Sequence, residues 1–282
     1  DFVVSAQAQT ATCWTNNVPT LTTFFTQSGQ VSGNSGQYYY TVYNTDSDGA
    51  SATDSVAQFE IAYGNSSGGG ALAYNNNAAP GISPASTIFG QYRTLVLEDE
   101  NASFSFGGVE QSYFYALSIE RAAYKQALFP GSLNLILQNS TTELFLTDNS
   151  RMVTVPTYYG TMRAYEVISG SNGQSAEKIA GGSGNGYTTS AGSYGLFLPD
   201  IGTIILNGAA LDASTSDGGL NLLTNTTLNV DGANNQKLFN AITSSQNITP
   251  AFSLNSEETI TSDFVFVRAR NSEFNYSTNP SY

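Results

Sequence analysis

The sequence predicts a mainly β protein: antiparallel sheets, sandwich-like, with one or two short helices and long loops rich in Gly, Ser and Asn. Three observations carry this. Charged residues make up only 11% of the 282-residue chain, less than half the globular norm of about 25%. Gly, Ser, Thr and Asn fill the gap beside 17 Tyr and 16 Phe, and a chain rich in aromatics and poor in charge folds instead of staying disordered. Apolar residues also alternate in short runs between turn-forming clusters, which is the period of half-buried strands.

Residues 1–36 read as an extended N-terminal arm. Residues 18–25 carry Phe24 and Phe25, too apolar to leave in water, while 29–36 are Gly, Ser, Asn and Gln with no apolar period. The arm is therefore expected to clasp an adjacent subunit. Residues 37–170 form a β domain. Strands 38–43 and 57–63 alternate Tyr38, Tyr40, Val42 and Phe59, Ile61, Tyr63 around a turn at 44–49. A long loop covers 64–86, and strands follow at 92–97, 103–106 and 113–119. Residues 120–128 suit a short helix, ended by Pro130-Gly131. A hairpin of 133–137 with 143–146 and a strand at 163–169 complete this part.

A Gly/Ser-rich loop at 171–193 leads to a second β-rich part, 194–282, packed on the first. Its strands are 196–198, 203–206 and 264–269. Its helix is 234–243, with Leu238, Phe239 and Ile242 on one face. Phe264, Phe266, Tyr113 and Tyr115 are expected to point into one core. No fixed-period repeat is present, which argues against a solenoid or propeller.

Phe264-Val-Phe-Val-Arg-Ala-Arg-Asn-Ser-Glu-Phe-Asn-Tyr-Ser-Thr-Asn-Pro-Ser-Tyr282 is the most distinctive run. It resembles a segment of a family of virion structural proteins from contractile-tailed marine phages, chiefly those of cyanobacteria. Residues 113–137 are similar to that family's Arg-x-x-Tyr-Lys-x-x-Leu-x-Pro-Gly unit, here Arg121, Tyr124, Lys125, Leu128, Pro130 and Gly131. Leu146-Thr-Asp-Asn-Ser-Arg151 and residues 192–207 are similar to segments that follow it there. The resemblance covers most of the chain after Tyr38. It implies a virion location and a structural role, and supplies no catalytic residues. It also implies that the chain continues past Tyr282 into further β structure.

The chemistry sought in the residues is mostly absent. Histidine is missing altogether, which removes Ser-His-Asp and Cys-His nucleophiles and imidazole zinc sites. The single cysteine, Cys13, excludes a disulfide framework; a small buried hydrophobe is its default role and an intersubunit disulfide the alternative. Glycoside hydrolysis needs two convergent carboxylates. Glu98, Asp99, Glu100, Glu143, Glu257 and Glu258 are candidates, but adjacent residues of a strand end face opposite ways. Neither a catalytic centre nor a cofactor is expected.

Asn44, Asp46 and Asp48 match the first half of a calcium loop, yet Ser55 stands where a bidentate Glu belongs; a hairpin turn is the default. Asn-x-Ser/Thr sequons at Asn65, Asn101, Asn139, Asn225, Asn247 and Asn275 are no more frequent than this composition gives by chance. A net charge of −13 with only Lys125, Lys178 and Lys237 as lysines has the wrong sign for nucleic acid. No run is long and apolar enough to span a bilayer.

These readings converge on a structural subunit of a tailed-phage virion, in the tail, baseplate or neck, acting through oligomeric packing. Its partners are copies of itself and other virion proteins. Phe24, Phe25, Tyr38, Tyr40, Tyr158 and Tyr159 are its candidate interface residues. Tyrosine faces could also take a host-surface glycan. The alternative is a secreted or cell-surface β-protein that forms extracellular filaments or acts as an adhesin.

Overall fold

The computed structural model describes residues 2–26, 38–45, 55–74, 83–175, 182–245, 248, 251–265 and 267–268. The chain opens with β1 (Phe2–Thr12), β2 (Tyr39–Tyr43) and β3 (Ala57–Asn65). Helix α1 (Pro84–Leu97) follows, then the small hairpin β4 (Phe104–Phe106) and β5 (Val109–Gln111), and β6 (Tyr113–Ile119). Next come β7 (Ala127–Leu128), β8 (Asn134–Asn139), β9 (Thr142–Asp148), β10 (Thr157–Tyr159), β11 (Met162–Ser171) and β12 (Gln174–Ser175). The last third holds β13 (Gly195–Leu198), β14 (Thr203–Asn207), α2 (Gly208–Asp212), α3 (Asn234–Ser244), β15 (Phe252–Ser253) and β16 (Asn255–Val265). The protein is mainly β, with few short helices.

Most strands join one 11-stranded sheet in the order β15-β8-β9-β11-β13-β14-β6-β3-β2, with β10 and β12 paired to β11. Every pairing in it is antiparallel. Because β13 and β14 lie between β11 and β6, the expected parts 37–170 and 194–282 share one hydrogen-bonded sheet.

Alternation along the strands sorts side chains onto two faces. Phe59, Ile61, Tyr115, Leu117, Ile204, Leu206, Phe197, Val167, Leu146 and Leu135 line one core, which α3 joins through Leu238, Phe239 and Ile242. Ala62, Phe114, Ala116, Ile205 and Leu196 face the other way, where Ile88, Phe89, Tyr92 and Val96 of α1 cover them with Phe104 and Phe106.

The sheet curls until its two ends meet. Phe252 on β15 touches Phe59 on β3 with ring centroids 5.4 Å apart, and Trp14 lies 4.8 Å from Phe252. Leu21 bridges to Phe252 and Phe25 bridges to Tyr43, so residues 21–25 run between the terminal strands β15 and β2. Residues 14–25 of the expected arm pack within the chain. Trp14, Leu21 and Phe24 are buried in the chain's own core, which is where an apolar stretch of this size loses most water.

Two expected elements are corrected. Residues 92–97 belong to α1, not to a strand. The apolar positions Ile88, Phe89, Tyr92 and Val96 recur at helical spacing, Pro84 opens the helix, and Ser83 and Ser86 cap it reciprocally. Residues 120–128 make no α-helix but a 3-10 turn at Arg121–Ala123 followed by β7. Phe266 and Ala269 of the expected 264–269 strand and the turn residues Asp46 and Asp48 lie outside the described residues, and β16 ends at Val265.

Candidate assembly surfaces

β1 and β16 pair antiparallel over their full length, from Phe2↔Val265 to Thr12↔Asn255. At 3.3–3.4 Å per residue this ribbon is about 35 Å long. Its base is pinned to the body. Cys13 N–H donates to the Leu254 carbonyl (3.0 Å), Phe129 N–H to that of Asn255 (2.8 Å), and Thr259 N–H to Gln126 Oε1 (2.9 Å). β7 pairs with β16 only at Ser256 and Glu257.

A charged latch sits at that point. The Arg163 guanidinium on β11 meets Asp200 Oδ1 at 2.7 Å and Glu257 Oε1 at 3.3 Å, and its backbone N–H donates to Asp200 Oδ2 at 2.7 Å. Hydrogen bonding to Asp200, against some desolvation, raises the Arg163 pKa and keeps it charged. Past the latch the ribbon leaves the core: residues 8–11 and 259–263 are exposed. β1 ends its sheet, so its outer edge pairs with no strand among the described residues.

Exposed apolar residues stand in two runs of the chain. β9 starts beside Asn139, whose side-chain amide donates to the Leu220 and Asn221 carbonyls (3.2 and 3.0 Å). It ends at Asp148, and the chain then runs into 151–158. Leu223 is exposed just past Asn221, Leu228 and Val230 are exposed in the run whose Thr227 carbonyl and Asn229 Oδ1 accept from Gly70 and Ala73 N–H, and Met152, Val153, Val155 and Tyr158 are exposed in the run after Asp148.

Both runs are held in place. Met152 and Val153 donate backbone N–H groups to the Asn149 carbonyl (2.9 and 3.2 Å), and Tyr158 pairs with Arg163. Leu223 has φ +59°, a left-handed conformation costly for a branched side chain. It is fixed there because Lys237 donates to its carbonyl while Thr224 N–H donates to Asp212 Oδ1 at 2.8 Å.

The candidate interface residues divide accordingly. Tyr158 is exposed and Tyr159 half-buried against the α1-side core. Phe25 is partly exposed, and Tyr38 is half-buried with its ring 6.3 Å from Tyr74. Phe24 and Tyr40 are corrected: they are only 4% and 2% exposed, in the core of their own chain. Alternation marks a buried strand face without saying which chain buries it, and the curl of the sheet uses these two internally. The exposed residues of 223–230 were missed, because Leu223, Leu228 and Val230 stand in an Asn/Thr-rich run with no period.

Asp148 and Glu166 are held by hydrogen bonds within the fold. Both Asp148 oxygens accept from Gly131 N–H at 2.9 Å, and Oδ1 also from Ser150 N–H at 3.1 Å. Burial raises the Asp148 pKa, opposed by these amide donors. Glu166 accepts from Gly107 N–H at 3.4 Å and from the Ser193 hydroxyl; burial raises its pKa too. Ser193 is fully buried and Glu166 half-buried, so this pair ties a loop to β11 at the edge of the core.

Glu98, Asp99 and Glu100 are exposed where α1 ends, with Glu98 as its C-cap. Asn44 closes the β2–β3 turn, its Oδ1 accepting from Val56 N–H at 3.0 Å. Among the described residues no group of three His, Cys, Asp or Glu is placed to hold a metal ion. No described helix is long and apolar enough to cross a membrane.

Fold and surfaces together define a mainly β protein with a two-stranded ribbon beside its main sheet and exposed apolar residues in the runs 152–158 and 223–230. No protein-family model, curated protein or solved structure matches the chain.

Proposed function

We propose that the chain is a structural subunit of a contractile-tailed phage particle, in its tail, baseplate or neck, and that it works by packing and not by catalysis. The observation that carries this is the β1/β16 ribbon. An isolated two-stranded ribbon is marginal in water, and an unpaired strand edge is a template for another chain. An 11-residue pairing that is exposed at residues 8–11 and 259–263 is therefore an element to be completed by a neighbour. The low charge of the chain, 11%, supports the same reading, since surface covered by neighbours needs less charge to stay soluble. The resemblance of residues 113–137, 146–151, 192–207 and 264–282 to virion structural proteins supplies the location.

The test is peptide mass spectrometry of salt-washed, purified particles. The expected result is this chain at a copy number that is a multiple of the tail's rotational symmetry. Its absence from the particles, with the chain recovered from the cell surface or medium, would replace this proposal with the extracellular filament or adhesin.

A further inference from the structure

We infer that the α1 side of β2 is a binding platform for an uncharged oligosaccharide, built on the rings of Tyr38, Tyr39 and Tyr74 and on Gln91. The inference stands apart from the packing role proposed above, since a particle subunit and an extracellular adhesin can each carry such a site.

Two elements bring these groups together. Tyr39 pairs with Ala62 and Thr41 with Glu60. Alternation therefore puts Tyr39, Thr41 and Glu60 on the face where Ala62 meets α1. Thr87, Gln91 and Leu95 recur every fourth residue on α1, which sets them in one row, and all three are exposed. The Tyr39 hydroxyl donates to Gln91 Oε1 at 2.9 Å and ties that row to the strand. Thr87 hydrogen-bonds the Tyr74 hydroxyl, which donates in turn to that of Tyr38. At 1.5 Å per residue the row from Thr87 to Leu95 is about 12 Å long, longer than a single sugar ring.

The chemistry fits a sugar. A pyranose presents a C–H face rimmed by hydroxyls; aromatic rings pack on the first, and fixed amides, hydroxyls and carboxylates bond the second. Tyr74 is 44% and Leu95 47% exposed. The Tyr38 and Tyr74 rings lie 6.3 Å apart and 34° from parallel, an open shelf instead of a closed stack. Gln91 and Tyr38 are each pre-set by an accepted hydrogen bond, while the Gln91 amide N–H and the Tyr38 O–H have no acceptor among the described residues. Donors held in place in this way lower the ordering cost of binding. Charge selects the class of sugar. Burial, and then the charge of nearby Glu120, raise the Glu60 pKa, so two carboxylates adjoin the platform. An acidic sugar would meet repulsion there and an uncharged one would not.

The test is affinity electrophoresis of the full chain through gels that carry neutral glucan, mannan or galactan, or acidic polygalacturonate. Retardation by at least one neutral polymer, and none by polygalacturonate, is expected. Y74A and Q91A, both at exposed positions, should keep the parent's far-UV circular dichroism and weaken that binding about five- to tenfold, the worth of one ring contact or hydrogen bond. Y158A, at an exposed tyrosine on β10, should bind like the parent. No retardation by any neutral polymer, or equal or stronger retardation by polygalacturonate, would overturn the inference. So would binding that survives Y74A and Q91A, or binding that falls in Y158A.

Discussion

Replacing Trp14 with Ala should destabilise the isolated chain by about 4 kcal/mol, because the indole plugs the seam of the curled sheet. Its ring is only 2% exposed and packs against Phe59 on β3 and Phe252 on β15. Truncating a buried Trp costs about 3–5 kcal/mol, and the lost aromatic pairs belong at the upper part of that range. The indole N–H also donates to the Phe252 carbonyl at 2.9 Å. That carbonyl still accepts from Leu21 N–H (2.7 Å) and the Thr20 hydroxyl (3.1 Å), so no acceptor is orphaned and no further penalty is added.

At about 2–4 °C per kcal/mol for a domain of this size, the melting temperature should fall by roughly 10 °C. Urea unfolding followed by far-UV circular dichroism measures it, since Trp14 is the only tryptophan and its fluorescence goes with it. Phe25→Ala, at a position 38% exposed, is the control and should cost no more than about 1 kcal/mol. A Trp14→Ala loss below about 1 kcal/mol, or one that grows with protein concentration, would show that the indole docks on another chain and that closure of the sheet is misread.

Three further outcomes follow from buried groups. Burial pushes the Cys13 thiol up to about 12, so a maleimide should label it only after denaturant unfolds the chain; labelling at the native rate of a free thiol would contradict its place in the core. Asp148, Glu166 and Glu60 have raised folded-state pKa values, chiefly from burial. Their stabilising share is full below the unfolded carboxylate pKa and lost as pH rises through the folded values. The urea midpoint should therefore rise on acidification from pH 7 to about 5, where unfolded carboxylates near 4 are still ionised; a steady fall over that range refutes this. A Cβ on Gly195 would lie 1.9 Å from the Ile205 carbonyl oxygen, so Gly195→Ala must spread β13 from β14 and should cost at least about 3 kcal/mol. A neutral result would mean that this register is wrong.

The main sheet was legible in the sequence wherever one face of a strand is buried. β2, β3 and β6 carry large residues at alternate positions, β8, β9, β13 and β14 read as short apolar runs, and the expected strands fall on all of them within a residue or two. Helix α3 was legible as well, from Leu238, Phe239 and Ile242. Helix α1 was not, because Tyr92, Thr94 and Val96 favour strands by propensity. The capping box there closes with Ser86 instead of the usual acid or amide. The β1/β16 ribbon was invisible for a different reason. Its exposed stretches, Ala8, Gln9, Thr10 and Ala11 on β1 and 259–263 on β16, meet water and leave no apolar period to read. Of the candidate interface residues, Tyr158 is exposed, while Phe24 and Tyr40 looked the same in the sequence and face inward.

An electron cryo-microscopy map of the intact particle tests the central claim most directly. The account places density for this chain in repeated copies about the tail axis, with residues 8–11 and 259–263 of the ribbon covered by a neighbouring subunit. A particle that lacks this density, or one in which the ribbon stands uncovered in solvent in every copy, would contradict it.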